Sequence, residues 1–154
     1  MLPKGFRVGS INAGISNKKD KKDLSLFLSD YPANVAALFT SNIVKAAPVL
    51  TDIDILKKSK KISALIANSG CANACIGKDG LKDAAMMNAA VEKEFALPKN
   101  SVLCASTGVI GQRINLSGLG GALKTLSETI GSSEQQEIDA ALGIMTTDKA
   151  VKKI

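Results

Sequence analysis

The sequence predicts a layered α/β domain, and three observations lead there. Short apolar, β-branched runs at residues 24–28, 62–67 and 101–107 have the length and composition of strands. Two stripes have helical spacing: Leu81, Ala84, Met87, Val91 and Phe95 in one, and Leu116, Leu119, Leu123, Leu126 and Ile130 in the other. A strand-rich start followed by strand, helix, strand, helix and helix is the order of helices packed on a sheet. The 154 residues suit a single domain over 1–154, able to bury roughly two-thirds of its unfolded surface.

Taken in order, residues 6–15 alternate loosely among Gly5, Gly9 and Gly14, which suits one or two strands of a glycine-bent ribbon. Residues 17–23 form a charged turn, and 24–28 a strand stopped by Ser29-Asp30-Tyr31-Pro32. A third strand is expected at 35–40, then an extended piece at 46–49, where the Pro48 ring excludes a helix interior. Thr51 is placed to cap a short helix over 52–58, with acids first and lysines last, as the helix dipole favours.

The buried strand at 62–67 runs into Asn68-Ser69-Gly70-Cys71-Ala72-Asn73-Ala74-Cys75-Ile76-Gly77, and this small, polar composition fits a binding loop or a plain connector equally well. Gly80 opens the next helix and Pro98 ends it; the following helical stripe stops at Gly131. Ser133 with Gln136 is a capping-box pattern for a last helix, with Ile138, Ala141, Leu142 and Met145 expected inward. Its end, Thr146-Thr147-Asp148, reads as a polar terminus or as a substrate contact.

Composition narrows the function classes. The net charge of +6 comes from lysines scattered in pairs, such as Lys18-Lys19, Lys21-Lys22, Lys57-Lys58 and Lys60-Lys61, and only 3% of residues are aromatic. That is neither a continuous basic stripe nor a stacking platform, so no nucleic-acid partner is expected. No apolar run reaches the length of a membrane span, so no membrane partner is expected either. The opening Met1-Leu2-Pro3-Lys4-Gly5 lacks the apolar stretch of a signal peptide, which points to the cytoplasm. Cys71, Cys75 and Cys104 read as reduced, buried small hydrophobes. With no histidine in the chain, neither a zinc site nor a histidine-based catalytic pair is expected. There is no Gly-Lys-Ser/Thr phosphate loop and no full dinucleotide fingerprint, and no cofactor is expected.

The stretch at 101–113 offers chemistry. Its strand breaks into Ser106-Thr107-Gly108, with Gly111 beyond. A threonine hydroxyl and a glycine N–H at a sheet edge are two donors suited to the oxyanion that forms when an acyl carbonyl is attacked. On spacing alone, a strand followed by an ordinary turn explains the same residues more simply.

The separate stretches then form an ordered set. Gly5-Phe6, Asp23-Leu24, Ser29-Asp30, Ala36-Ala37-Leu38-Phe39-Thr40-Ser41-Asn42 and Ala46-Ala47-Pro48-Val49 are followed by Asn68-Ser69-Gly70-Cys71-Ala72-Asn73-Ala74, Ser106-Thr107-Gly108-Val109-Ile110-Gly111 and Met145-Thr146-Thr147-Asp148. Together, over nearly the whole chain, they resemble the N-terminal α part of the ornithine acetyltransferase (glutamate N-acetyltransferase) family. The resemblance implies a layered α/β sandwich of the ornithine acetyltransferase and cleaved aminopeptidase kind, a mixed sheet with helices packed on it. It implies acetyl transfer from N-acetylornithine to glutamate in arginine biosynthesis, with acetyl-CoA a further donor in some members. The family precursor cuts itself between an alanine and a threonine. The new N-terminal threonine of the β chain becomes the nucleophile and carries the acetyl group. By this resemblance Thr107 and Gly108 are the oxyanion pair, and Thr146 or Thr147 contacts substrate. The partner implied is the β chain of the same precursor, in an α2β2 heterotetramer.

Two departures qualify the likeness. Cys71 stands where the family usually shows a second asparagine. The sequence also breaks off at Lys152-Lys153-Ile154, before the lysine- and glycine-containing segment that leads to the cleavage alanine and the nucleophilic threonine. The nucleophile is therefore expected on another chain. A truncated, non-catalytic relic and the α part of a related self-cleaved aminopeptidase are the competing readings.

Overall fold

A computed structural model describes residues 2–151. Met1 and the Lys152-Lys153-Ile154 end lie outside the described residues. The elements are β1 (Phe6–Ile11), β2 (Leu24–Asn34), α1 (Ala47–Lys58), β3 (Lys61–Asn68), α2 (Lys78–Glu94), β4 (Val102–Ser106), α3 (Leu119–Thr129) and α4 (Glu134–Ile144). The strands form one mixed sheet in the order β1-β2-β3-β4. The β1–β2 and β2–β3 pairs are antiparallel; β3 and β4 are parallel, joined by the crossover through α2.

Strand alternation sorts the side chains into two layers. Leu24, Leu26, Leu28, Ala64, Ile66, Val102 and Cys104 pack with Met87 and Val91 of α2 and with Leu123 and Leu126 of α3 in the main core. Gly9 belongs to this face because a Cβ there would meet the Leu126 side chain at 2.9 Å. The opposite face receives α4, where Ser25 Oγ donates to the Ala140 carbonyl at 2.9 Å. Here α4 presents small residues: Ala140 and Gly143 are its buried positions, and a Cβ at Gly143 would lie 2.2 Å from Ser10 Oγ. This corrects the expected inward set, since Leu142 is exposed. Close approach to two serines selects the small residues, and the apolar stripe does not report that.

Other boundaries also move. Residues 35–42 form no strand, and Leu38 there is fully exposed. Instead β2 runs on through Ser29-Asp30-Tyr31-Pro32 to Asn34, with a shift of register between Leu28 and Ala33 that accommodates Pro32. A strand-like run without a neighbouring strand to pair with does not become one. The extended piece at 46–49 is the start of α1: Ala46 is its N-cap and Pro48 sits in the first turn, where no N–H is needed. Thr51 is therefore inside the helix, and no acidic residue lies in its first turn. Only one strand, β1, comes from residues 6–15. Of the stripe in α2, Ala84, Met87 and Val91 are buried, whereas Leu81 is exposed and Phe95 caps the end. Cys71 and Cys104 are buried, but Cys75 is exposed. The capping box at Ser133 and Gln136 is present in both directions. Among the described residues, no helix is long and apolar enough to cross a membrane.

The open edge of the sheet is β4, and α1 closes it. Asp52 Oδ1 accepts from the Cys104 N–H at 3.0 Å and faces the Cys104 Sγ at 3.7 Å. Burial pushes the Asp52 carboxyl up from 3.8 to about 6, against the opposing pull of the Cys104 N–H and S–H. The Cys104 thiol is pushed up in turn, by burial first and then by the Asp52 charge. A carboxyl whose native pKa is raised binds its proton more tightly folded than unfolded. Its contribution is thus fullest below pH 3.8 and is lost as the pH rises through about 6. Asp52→Asn keeps an acceptor for Cys104 and removes the titration. The variant should gain thermal stability relative to the parent as pH rises from 4 to 7, measured as Tm against pH; parallel profiles would show that Asp52 titrates normally.

Candidate functional site

The carboxyl ends of the parallel pair β3 and β4 open onto two loops that continue the ladder beyond the strands. Thr107 N–H donates to the Asn68 carbonyl at 3.0 Å, and Val109 N–H to the Gly70 carbonyl at 3.2 Å. Ala72 N–H donates to the Val109 carbonyl at 2.9 Å, and Gly111 N–H to the Ala74 carbonyl at 3.0 Å. In open α/β sheets such crevices at strand carboxyl ends are where ligands bind. The buried Asn68 tightens the join: half-buried Ser106 Oγ donates to Asn68 Oδ1 at 2.6 Å, and Asn68 Nδ2 donates to the Cys71 carbonyl at 2.9 Å. Beyond the turn, Arg113 makes a bidentate pair with the buried Asp83 of α2, at 2.9 and 3.0 Å.

Glycine is required where these loops touch. Gly108 has φ +136°, and a Cβ there would stand 2.3 Å from the Gly70 carbonyl carbon and 2.6 Å from the Cys71 nitrogen. No L side chain fits against that backbone. Thr107 and Gly108 are both exposed, and among the described residues neither the Thr107 hydroxyl nor the Gly108 N–H has a protein partner. Thr107 N–H is spent on the ladder, so the hydroxyl is its free donor.

A second set of residues converges from far away in the chain. Ser69, fully buried just past β3, donates from Oγ to the Gly143 carbonyl at 2.7 Å. Lys21 Nζ donates to that same Ser69 Oγ at 2.7 Å and also to the Met145 carbonyl. Burial lowers the Lys21 pKa, and Lys18 lowers it further against the attraction of Asp23. Next to Met145 stand Thr146, half-buried, and Thr147, exposed. Thr146, Met145, Lys21 and Lys22 line a cavity of about 690 Å³ with Asp139 and Asp148. Lys22 pairs with Asp139 at 2.5 Å, and that hydrogen bond holds the Asp139 carboxyl below its usual range.

The end of α4 and the turn after β4 are thus joined through one loop, residues 69–71. Sequence reasoning singled out both ends; it placed Ser69 in a binding loop or connector and Lys21 and Asp23 in a charged turn, without joining them to either end. Asp23 accepts from the N–H groups of Ala13 and Ser16, each at 2.7 Å. Ser16 in turn abuts Gly70, where a Cβ would be 2.8 Å from the Ser16 Cα. Lysines in a charged turn look solvated, and nothing local marks one whose partners lie 48 and 124 residues away. Among the described residues, no group of three or more His, Cys, Asp and Glu side chains is placed to hold a metal.

A family-level profile of the ArgJ family matches residues 7–154 of this chain. The chain belongs to the ArgJ family. Its sequence is 41% identical over 153 residues to the arginine biosynthesis bifunctional protein ArgJ of Caldanaerobacter subterraneus, covering 99% of this chain and 37% of that protein. The counterpart in Chlorobaculum tepidum is 44% identical over 147 residues, covering 95% of this chain and 35% of that one. The chain therefore spans about a third of these ArgJ relatives, the N-terminal part. Among solved structures, ornithine acetyltransferase from Mycobacterium tuberculosis, complexed with ornithine, superposes with a TM-score of 0.89 at 34% identity, over 97% of this chain and 79% of that one. ArgJ from Bacillus halodurans gives 0.88 at 35%, over 96% and 75%. These ArgJ structures share the layered α/β architecture described above.

Proposed function

We propose that this chain is the α part of an N-acetyltransferase of arginine biosynthesis, moving acetyl from N-acetylornithine to glutamate, with acetyl-CoA as a possible second donor. The observation that carries the reading is the pair of unspent donors, the Thr107 hydroxyl and the Gly108 N–H, on a turn braced against Gly70. The nucleophile is the N-terminal threonine hydroxyl of a companion β chain, with its own terminal amine as base in place of the missing histidine. Attack on the acetyl carbonyl makes an oxyanion that the two donors hold. Its collapse gives acetyl-threonine and expels ornithine, whose amine takes up the proton. The amine of glutamate then attacks the acetyl-threonine through a second oxyanion in the same hole, and collapse returns the threonine hydroxyl and N-acetylglutamate. Thr146 or Thr147 contributes a hydroxyl to the bound substrate.

A companion chain is supported by apolar surface left open. Phe27, Leu65, Leu103, Ile62 and Val35 line a groove of about 340 Å³ on the sheet, and Leu38 and Ile43 stand almost wholly exposed. In this reading the β chain covers them, within an α2β2 assembly.

The test is to isolate the protein with any chain that accompanies it and incubate it with N-acetylornithine and glutamate. Appearance of N-acetylglutamate and ornithine, with a companion chain beginning with threonine by mass spectrometry, is expected. A lone chain with no transfer supports a non-catalytic relic, and peptide hydrolysis without transfer supports the cleaved aminopeptidase class.

A further inference from the structure

We propose that Lys21 is a positioning residue for acetyl transfer, which clamps the end of α4 to the loop after β3 and so fixes where Thr146 and Thr147 stand relative to Thr107 and Gly108. The proposal rests on the acetyltransferase reading above and deepens it.

A helix leaves its last carbonyls without intrahelical partners, and its C-terminus carries partial negative charge. The last turn of α4 holds no basic residue of its own. The Met145 N–H serves the Leu142 carbonyl, and further partners come from outside the helix. Ser25 of β2 donates to the Ala140 carbonyl, Ser69 to the Gly143 carbonyl, and Lys21 to the Met145 carbonyl. Lys21 alone of the three brings a positive charge, and it ties the residue that caps α4 to the loop after β3, because Ser69 Oγ accepts from the same ammonium at 2.7 Å. Ser69 adjoins Gly70, the residue against which Gly108 is packed. The chain of contact thus runs from Met145 through Lys21 and Ser69 to the oxyanion turn, with Thr146 and Thr147 following directly on its Met145 end. A charge-assisted hydrogen bond at a half-buried helix terminus is stronger than a neutral one, so its loss should loosen the segment that follows.

The experiment compares Lys21→Met, which keeps the stem and loses the ammonium, with Lys21→Arg, which keeps a cation, in the assembled protein. In Lys21→Met the KM for the acetyl donor should rise about tenfold while kcat stays within about threefold, the pattern of lost binding geometry. Hydrogen exchange at amides 143–148 should quicken about tenfold with β3 unchanged, and Lys21→Arg should restore most of both. Ser25→Ala, which removes a different α4 carbonyl partner, should lower Tm and leave KM alone. Unchanged KM, unchanged exchange at 143–148, or an arginine variant no better than methionine overturns the proposal. If the unsubstituted protein transfers no acetyl, the acetyltransferase reading has failed, and the exchange data alone decide whether Lys21 anchors the segment.

Discussion

Gly108→Ala should lower turnover by orders of magnitude and weaken the fold at once. The added methyl would lie 2.3 Å from the Gly70 carbonyl carbon and 2.6 Å from both the Gly70 oxygen and the Cys71 nitrogen. All three are backbone atoms, so no side chain can swing aside. They are also held from both sides, by Val109 N–H on the Gly70 carbonyl and by Ala72 N–H on the Val109 carbonyl. A φ of +136° adds strain for any residue with a Cβ. Overpacking and backbone strain together should destabilise the domain by about 3 kcal/mol. To relieve the clash the turn must lift from the loop, taking the Gly108 N–H with it. Loss of one oxyanion donor lowers turnover about a hundred- to a thousand-fold. Thermal unfolding and acetyl transfer measured on the same preparation check both effects, and a variant with normal Tm would show that the turn does not sit against Gly70.

Thr107→Ala should lose rate without losing stability. The hydroxyl is exposed and has no protein partner among the described residues, whereas the Thr107 N–H, which does hold the ladder, survives the change. Stability should stay within about 0.5 kcal/mol of the parent. Turnover should fall about a hundred- to a thousand-fold with KM little moved, because the bond is made to the oxyanion and not to the ground-state carbonyl. Thr107→Ser, which keeps the hydroxyl, should recover most of the rate. An unchanged turnover number in Thr107→Ala would remove the hydroxyl from the mechanism. The contrast between neighbours is itself informative, since one substitution strikes the scaffold and the chemistry and the other the chemistry alone.

The elements that sequence foresaw well are those whose signals are local. The continuous run that became β3, the stripe of Leu119, Leu123 and Leu126 in α3, and the Ser133–Gln136 capping box all rest on residues a few positions apart. Failures occur where a distant neighbour decides. Val35 to Thr40 has strand composition but no strand beside it. Leu142 fits the stripe of α4, yet the helix turns Ala140 and Gly143 inward because Ser10 and Ser25 lie so close beneath it. Pro48 reads as a breaker and proves to be a helix starter, since its effect depends on whether the preceding turn already exists.

By itself the sequence determined the layered α/β class, the candidate residues Thr107, Gly108, Thr146 and Thr147, and membership of a family that the ArgJ comparison supports. Hydrophobic period, capping residues and an ordered set of motifs are all written along the chain, so no folding is needed to see them. Only the tertiary structure decided why Gly108 must be glycine, that Asp52 closes the sheet edge, and that Lys21 and Ser69 tie the end of α4 to the loop against which Gly108 packs. Each of those depends on atoms brought within about 3 Å from residues tens of positions apart, and burial gives such contacts their strength.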